Sequence, residues 1–322
     1  MQKRMLGDLE VSALGYGAMG LSHAYGASLD EKESIYLLNK AYDEGYTFID
    51  TAEVYGPYFN EELVGKAFSK IKDKVQIATK CGIRLAEHDR GLSLPDSSPA
   101  FIRKSLEGSL KRLNIECIDL YYLHRIDPKH EPEEVAELMA SFIKEGKIAH
   151  WGISEANEDY LRRADKVCKV SAIQNRYSLM YRDYEKLFSV LEKLNIGFVA
   201  FSPLANGFLS AAYQKGVKFD EKDDYRARMP QFQDESYAQN KDLLALITGL
   251  AQKYDATCAQ ISLAYLLDKR PYVVPIPGSR HEARIVENAA AVNINLSHDD
   301  VKAISSALDN MTISEVFGGT KK

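Results

Sequence analysis

Four polar side chains lie at the ends of apolar runs of the sequence, and their types could cooperate in proton transfer. Asp50, Lys80 and His124 each end a run that has the pattern of a buried strand, and Tyr55 lies one loop-length beyond Asp50. If these strands are parallel neighbours, their ends meet at one edge and the four side chains lie close together.

A tyrosine that is to donate a proton near neutral pH needs a charged neighbour, because a free phenol has a pKa of about 10. An ammonium at Lys80 would stabilise the phenolate of Tyr55 and bring the phenol toward working pH. A partly buried lysine would lose its own charge unless a carboxylate such as Asp50 holds it. His124 could orient a substrate oxygen through an imidazole N–H. This set can protonate an oxygen that gains negative charge, as in carbonyl reduction by hydride from a nicotinamide.

Each of the four residues also has a structural explanation when it is taken alone. An aspartate at a strand end commonly caps a helix, a tyrosine packs, a lysine is solvated, and a histidine after an apolar run sits in the core. Only their joint placement argues for function, since the chemistry of each residue depends on the others.

Strand-like runs alternate with helix-like segments along the whole chain, after a predicted N-terminal hairpin. Several of the runs are apolar on both faces, as in a covered parallel sheet. The runs span Ala13–Gly17, Thr47–Asp50, Val75–Lys80, Ile118–His124, Ala149–Ser154, Ala172–Asn175, Gly197–Ser202 and Tyr272–Pro275. Eight alternations without a break in composition predict an α/β fold: one (β/α)₈ barrel domain over residues 1–322, with a short C-terminal tail.

Start and stop signals accompany the predicted helices. Ser28-Leu29-Asp30-Glu31 has the form of a capping box before an amphipathic run that stops at Gly45. Ser98 and Pro99 provide a cap and a first-turn proline ahead of the helix Phe101–Leu113. A further helix through Val135–Lys144 is followed by Gly146, which suits a left-handed terminus.

One long polar and aromatic insertion, Asn206–Gln239, separates the seventh predicted strand from its helix. Connections of this length are commonly functional lids or mobile segments.

The segment Gly15–Gly20 raises an alternative, because it is a literal GxGxxG that follows a strand. A two-domain Rossmann dehydrogenase requires the helix to open directly on these glycines, so that its N-terminus meets the pyrophosphate. Here residues 21–29 intervene before the helix cap, and the strand–helix rhythm continues to the C-terminus. We therefore interpret the glycines as positions where backbone passes close to a ligand at the barrel mouth.

Composition excludes several classes of partner. The chain has 322 residues and a net charge of −5, and its basic residues are scattered, so we predict no nucleic-acid or membrane binding. No apolar run has transmembrane length, and the N-terminus lacks a signal-peptide pattern. Four widely spaced cysteines (Cys81, Cys117, Cys168 and Cys258) show no metal-ligand spacing. They predict reduced thiols in a cytoplasmic protein, and no metal site.

Several segments match sequence motifs of one known family, in the same order and over nearly the whole chain. The four polar residues lie in FIDTAEVYG, ATKCG and YYLHR. The motifs GISEAN, QNRYSLM, FSPLANGFL and PIPGSR follow, and after them the pair Glu287-Asn288. With these motifs the chain resembles the aldo-keto reductases, most of all the bacterial and plant branch that includes pyridoxal and perakine reductases. The resemblance implies that Asp50, Tyr55, Lys80 and His124 form the catalytic tetrad.

The same resemblance implies a nicotinamide cofactor. Ser154 and Gln174 would hold the carboxamide, although Glu155 stands where the family commonly has asparagine. Arg280 and Arg284, four residues apart after the last strand, favour the 2′-phosphate of NADP(H). The full set of predicted cofactor contacts is Gly17, Met19, Asp50, Ser154, Gln174, Phe201, Ser202, Pro203, Leu204, Gly207, Leu209, Gly278, Ser279, Arg280, Arg284, Glu287 and Asn288.

The predicted activity is the reversible, NADPH-dependent reduction of an aldehyde or ketone to an alcohol, by a monomer or homo-oligomer. Two alternatives stay open. One is a nicotinamide-binding redox sensor like the potassium-channel β subunits, and the other is a phosphate-binding barrel isomerase or lyase in which Lys80 forms a Schiff base. An adjacent carboxylate that keeps the lysine charged argues against the latter.

The sequence does not identify the carbonyl substrate, because loops select it in this fold. The candidate loops are Ser22–Ala27, Tyr58-Phe59, Ile83–Ser97, Arg125–Lys129 and the insertion. Within them, the predicted pocket residues are Tyr25, Tyr58, Phe59 and Arg125.

Overall fold

Eight parallel strands form the centre of the computed structural model, which describes residues 1–85 and 94–316. The strands are β1 (Gly15–Gly17), β2 (Phe48–Asp50), β3 (Gln76–Cys81), β4 (Ile118–Leu123), β5 (Ile148–Ser154), β6 (Ala172–Arg176), β7 (Gly197–Phe201) and β8 (Val273–Pro275). They are hydrogen-bonded in chain order from β1 to β8. The predicted barrel is therefore confirmed, and the sheet order leaves no place for a Rossmann domain.

Both faces of the strands are buried, which explains their apolar pattern. In β4, Leu120 and Tyr122 face the barrel interior, while Tyr121 and Leu123 pack against the surrounding helices. This alternation of two buried faces is the signature of a parallel sheet that is covered by helices.

The barrel closes between β1 and β8 through glycines. Gly17 N donates to Pro277 O at 3.3 Å. A Cβ on Gly17 would lie 2.8 Å from Ile276 O, and one on Gly278 would overlap the carbonyl oxygen of Gly17. The close approach that requires these glycines is therefore made by the chain's own backbone, a reason that the sequence interpretation did not give.

An antiparallel hairpin, Lys3–Leu6 paired with Leu9–Ser12, covers the amino-terminal end of the barrel. Leu6, Leu9 and Val11 of this hairpin join the interior core.

Eleven helices are described around the strands. They are α1 (Glu31–Asp43), α2 (Phe59–Phe68), α3 (Pro99–Leu113), α4 (Pro132–Lys144), α5 (Glu158–Val167), α6 (Phe188–Leu194), α7 (Asp234–Gln239), α8 (Lys241–Lys253), α9 (Cys258–Lys269), α10 (Glu282–Ala290) and α11 (His298–Asn310). Helix α9 is buried on nearly every side, because it lies between β8 and the outer helices α8 and α11. No helix of the described residues is both long and apolar enough to span a membrane.

The helix termini follow the predicted signals with one exception. Helix α3 begins at Pro99 after Ser98, and Gly146 beyond α4 has a positive φ of 73°. The predicted cap Ser28 of α1 is wrong by two residues. Asp30 accepts the hydrogen bond from Glu33 N at 2.7 Å, so its carboxylate caps the helix.

The insertion after β7 folds onto the loop that follows β1. Gly26 N donates to Asp223 O at 3.0 Å, and Tyr225 N donates to Ala24 O at 2.9 Å. We call residues 206–239 the strap. Its own core is a cluster of aromatic rings with centroids 5.0 to 5.7 Å apart, formed by Phe208, Tyr213, Phe219, Phe232 and Tyr237.

Candidate active site

The structure brings the four predicted catalytic residues together at the carboxyl ends of β2, β3 and β4. Lys80 Nζ donates to Asp50 Oδ1 at 2.6 Å, to Thr51 O at 2.7 Å and to the Tyr55 hydroxyl at 3.3 Å. The rings of Tyr55 and His124 meet edge to face, with centroids 6.0 Å apart. All four side chains therefore converge on one point of the barrel mouth.

A tight turn after β2 presents Tyr55. Thr51 N continues the strand pairing to Ala78 O at 2.9 Å, and Tyr55 N then folds back to Ala52 O at 3.1 Å. The Thr51 hydroxyl donates to Asn60 Oδ1 at 2.6 Å, which ties the turn to the start of α2.

Asp50 and Lys80 form a fully buried ion pair. Burial lowers the pKa of Lys80, but the attraction of Asp50 and Tyr55 outweighs it, so the pKa is raised overall. Burial raises the pKa of Asp50, against the opposing influence of Lys80 and of Gln174. We regard the pair as ionised, because the carboxylate accepts two hydrogen bonds and all three ammonium hydrogens have acceptors.

Burial raises the pKa of Tyr55 above its ordinary value, and Lys80 is the strongest influence that opposes this shift. The expectation that Lys80 brings the phenol toward working pH is therefore wrong as a net effect, although the direction of its contribution is as expected. The physical reason is that the desolvation of a buried phenolate exceeds the attraction of one ammonium. Tyr55 stays protonated, which is the state that a proton donor requires.

His124 is a neutral imidazole. Burial lowers its pKa well below the ordinary value, and the positive charges of Lys80 and Arg125 lower it further. Its Nδ1 is buried and has no hydrogen-bond partner in the described parts of the chain. A neutral ring beside Tyr55 can exchange a hydrogen bond with a substrate oxygen without adding charge.

The predicted nicotinamide contacts border the tetrad directly. Gln174 Nε2 donates to Asp50 Oδ2 at 2.7 Å. Ser154 accepts a hydrogen bond from Arg125 at 3.1 Å, and Arg125 also donates to the carbonyl oxygen of His124 at 2.6 Å. Glu155 adopts a left-handed backbone with a φ of 54°, and its carboxylate accepts from Tyr184 at 3.0 Å.

The predicted contacts after β7 lie at the root of the strap. Phe201 ends β7, and Ser202 follows with a positive φ of 50°. Gly207 has a φ of 96°, where a Cβ would approach the Tyr213 ring to 3.1 Å. Leu209 is fully buried in the outer core, and its N–H donates to Leu204 O at 3.2 Å.

The predicted phosphate and adenine residues lie in the loop between β8 and α10 and in α10 itself. Arg280 donates to the carbonyl oxygens of Tyr25 and, at 2.7 Å, of Ala27. Arg284 donates to Glu287 Oε2 at 2.8 Å. Both guanidinium groups are thus already held by oxygen acceptors at this edge of the barrel.

These residues fit a dinucleotide. Glu287 Oε1 and Asn288 Oδ1 are buried acceptors without a hydrogen-bond partner among residues 1–85 and 94–316, as a purine amino group would require. At the other end, Ser154 and Gln174 offer a hydroxyl and an amide beside the tetrad. Arg280, just before α10, and Arg284, which contacts Glu287 within it, are cations that suit phosphate oxygens.

The four predicted pocket residues do not share one environment. Asn206 donates to the Tyr25 hydroxyl at 2.6 Å, which makes Tyr25 part of the link to the strap. Tyr58 is 43% exposed, and its ring lies 4.5 Å from Arg112 in an outer groove between α2 and α3. Phe59 packs on the outer core, while Arg125 lies at the tetrad. Part of the loop Ile83–Ser97, residues 86–93, lies outside the described residues.

Two aromatic residues that the sequence did not single out form a row of ring contacts that begins at Tyr55. The ring of His23 is nearly parallel to that of Tyr55, with centroids 6.1 Å apart. Tyr225 of the strap meets His23 edge to face at 5.5 Å. No local sequence signal could have found them, because the strap and the loop after β1 meet only in the folded chain.

Comparisons with known proteins match one family over most of the chain. Residues 13–309 match the sequence model of the Aldo/keto reductase family. The chain is 40% identical over 317 residues to a probable aldo-keto reductase 1 from Glycine max, covering 96% of this chain and 88% of the relative.

Solved structures show the same architecture. A glycerol dehydrogenase from Gluconobacter oxydans superimposes with a TM-score of 0.89 at 26% identity, covering 99% of both chains. The holo form of an aldo-keto reductase from Bacillus halodurans does so with a TM-score of 0.77 at 26% identity, covering 95% of this chain and 96% of the other.

Proposed function

The chain belongs to the aldo/keto reductase family, and from this premise we propose that it reduces an aldehyde or ketone to an alcohol with NADPH, reversibly. The observation that carries the proposal is the contact of Lys80 with both Asp50 and the Tyr55 hydroxyl, at 2.6 and 3.3 Å. This arrangement places a charged donor beside a neutral phenol, as the protonation of a developing alkoxide requires.

Tyr55 is the proton donor of this proposal. An alkoxide is far more basic than a phenolate, so a protonated Tyr55 gives up its proton readily as negative charge grows on the substrate oxygen. Lys80 stabilises the phenolate that remains, and Asp50 keeps Lys80 charged. The neutral ring of His124 holds the substrate oxygen in line with the phenol.

A bound nicotinamide would supply the hydride to the carbonyl carbon. Ser154 and Gln174 would hold its carboxamide, and Glu287 and Asn288 would receive the adenine. The Gln174–Asp50 hydrogen bond of 2.7 Å supports this placement, because it fixes the amide next to the reacting groups.

The preference for NADPH over NADH is a finer part of the proposal. It is supported by two guanidinium groups at one edge, since a 2′-phosphate offers the oxygens that Arg280 and Arg284 bind best. A phosphate there would take over donors that now serve the carbonyls of Tyr25 and Ala27, and the carboxylate of Glu287.

A lyase that uses Lys80 as a Schiff base is disfavoured by the same contacts. Such a lysine must become neutral to attack a carbonyl. Here the pKa of Lys80, which burial alone would lower, is raised by Asp50 and Tyr55.

The proposed substrate is a small carbonyl compound, and a cytoplasmic location is consistent with four free cysteines. The solved relative described as a glycerol dehydrogenase suggests that hydroxylated aldehydes and ketones belong in a first panel, beside activated aldehydes such as nitrobenzaldehyde.

The test follows the loss of reduced nicotinamide absorbance with this panel, using NADPH and NADH in parallel. We expect Tyr55→Phe to lose about 10² to 10⁴-fold in kcat, because the proton donor is removed. Cofactor binding, followed by fluorescence quenching, should persist. Tyr36→Phe, on an exposed helix face, is the matched control and should keep full turnover. Unchanged turnover in Tyr55→Phe would refute the assigned role.

A further inference from the structure

A second cluster of ionisable side chains lies behind the tetrad, between β3, α2 and α3. Glu53 comes from the turn after β2 and is 4% exposed, while Glu61 of α2 is fully buried. Arg112 of α3 is the cation that the structure places beside both carboxyls. The reaction derived above does not use this cluster.

The two carboxyl groups differ in their hydrogen-bond partners. Glu61 accepts from Arg112 Nε and from the Thr79 hydroxyl, both at 2.6 Å. For Glu53 the nearby Ser105 hydroxyl only opposes the rise of its pKa, and its Oε1 has no hydrogen-bond partner in the described chain. Glu61 can therefore hold a negative charge in this setting, whereas an ionised Glu53 would face a like charge with half of its carboxylate unsolvated.

The remaining groups that face Glu53 stay uncharged near neutral pH. Burial raises the pKa of the Cys81 thiol on β3 and that of the Tyr121 phenol on β4. Burial also raises the pKa of Glu53 to about 7, and the charge of Glu61 adds to this shift against Ser105 and Arg112. Glu53 is thus the member of the cluster whose charge changes near neutrality.

Glu53 is connected to the proton donor through the backbone. Its carbonyl oxygen accepts from Tyr58 N at 2.8 Å, and Tyr55 lies inside the turn that this bond closes. The buried side chain anchors the turn from behind, while Tyr55 projects from its front toward Lys80.

We propose that Glu53 is a positioning residue, which holds the turn of Tyr55 in place only while its carboxyl is protonated. Ionisation puts a second negative charge beside Glu61, so that Arg112 faces two carboxylates, and the turn moves to bring the new charge to water. The phenol then loses its contact with Lys80, so carbonyl reduction falls as the pH rises through neutrality. This inference rests on the proposed role of Tyr55.

The test compares the pH dependence of kcat in the wild type and in Glu53→Gln, which mimics the protonated carboxyl. We expect the wild type to lose activity above about pH 7, with the slope of one ionisation. Glu53→Gln should match the wild type below that pH and keep its activity above it. A variant that shows the wild-type decline, or that is inactive at every pH, overturns the proposal.

A second variant changes the ionisation without touching Glu53. In Glu61→Gln the like charge is gone and Arg112 is free to pair with an ionised Glu53. The turn should then stay in place, and the decline of kcat with rising pH should disappear. A decline of wild-type size contradicts the proposal.

Thermal unfolding gives a readout that does not depend on catalysis. The folded state keeps the Glu53 proton up to about pH 7, whereas the unfolded chain releases it near 4.5. The stability that this proton provides is therefore present below 4.5 and lost as the pH rises to about 7. The melting temperature of the wild type should fall relative to that of Glu53→Gln across this range. If no carbonyl is reduced but this difference is found, the proposed function fails and the buried ionisation stands.

Discussion

Lys80 is the residue around which the polar groups of the site are arranged. Its ammonium donates hydrogen bonds to Asp50, to the carbonyl oxygen of Thr51 and to the Tyr55 hydroxyl, and its side chain is fully buried. Such a group is costly to bury, and it is tolerated only because every donor is satisfied. The same contacts that make the residue structurally demanding make it useful in stabilising a phenolate.

We expect Lys80→Met to lose both activity and stability. The variant leaves Asp50 as an uncompensated buried carboxylate, which should cost about 3–5 kcal/mol of unfolding free energy. It also removes the charge that stabilises the phenolate, so kcat should fall about 10²-fold or more. Urea denaturation and the nitrobenzaldehyde assay measure the two effects.

The double variant Asp50→Asn with Lys80→Met is the control. It removes both charges, so most of the lost stability should return while the activity does not. A single variant as stable as the wild type would show that the pair is not ionised.

For single residues, the sequence could predict the place in the site only where the position at a strand end fixes the position in space. Asp50, Lys80 and His124 could be assigned because parallel strand ends share one edge of a barrel. His23 and Glu53 could not, since the ring stacking of His23 on Tyr55 and the pairing of Glu61 with Arg112 depend on packing between distant segments.

Among the elements, the strap is the one that sequence patterns described least. The barrel strands were predicted to within two residues, because burial on both faces leaves a continuous apolar run. The strap has no such run. It is organised instead around Arg226, which forms an ion pair with Asp224 and donates to the Tyr213 hydroxyl at 2.7 Å. Its guanidinium also lies over the ring of Phe219 at 4.4 Å.

We expect Arg226→Leu to release the strap while the barrel stays folded. Asp224 would remain as a buried carboxylate without its partner, beside the backbone pairing of the strap with Tyr25. Local opening of residues 206–239 should then become at least about tenfold more frequent. Limited proteolysis measures this opening, and far-UV circular dichroism checks the barrel.

Arg228→Leu is the matched control within the same segment. Arg228 is exposed, and the hydrogen bond described for its side chain is to Glu221 O at 3.1 Å. Equal cleavage rates in the two variants would mean that Arg226 does not hold the strap.

For the whole molecule, closure of the barrel is the property on which every other contact depends. Seven of the eight strand junctions are ladders of parallel pairing, and the eighth, between β8 and β1, is a close approach of backbone at Gly17 and Gly278. This junction is also where the loop after β1, the strap and Arg280 meet, so the shape of the mouth depends on it.

We expect Gly278→Ala to destabilise the whole domain, by about 1–3 kcal/mol, because the added Cβ overlaps the carbonyl oxygen of Gly17 and backbone cannot give way cheaply. The denaturation midpoint should fall with an unchanged dependence on denaturant, as expected when one cooperative unit is strained.

Gly249→Ala is the control, and its effect on stability should have the opposite sign. Gly249 lies within α8 with nothing within 4 Å of an added Cβ, so alanine should stabilise the helix there by about 0.5–1 kcal/mol. If the two substitutions shift the midpoint in the same direction, the β8–β1 junction is not the close backbone contact that closes the barrel.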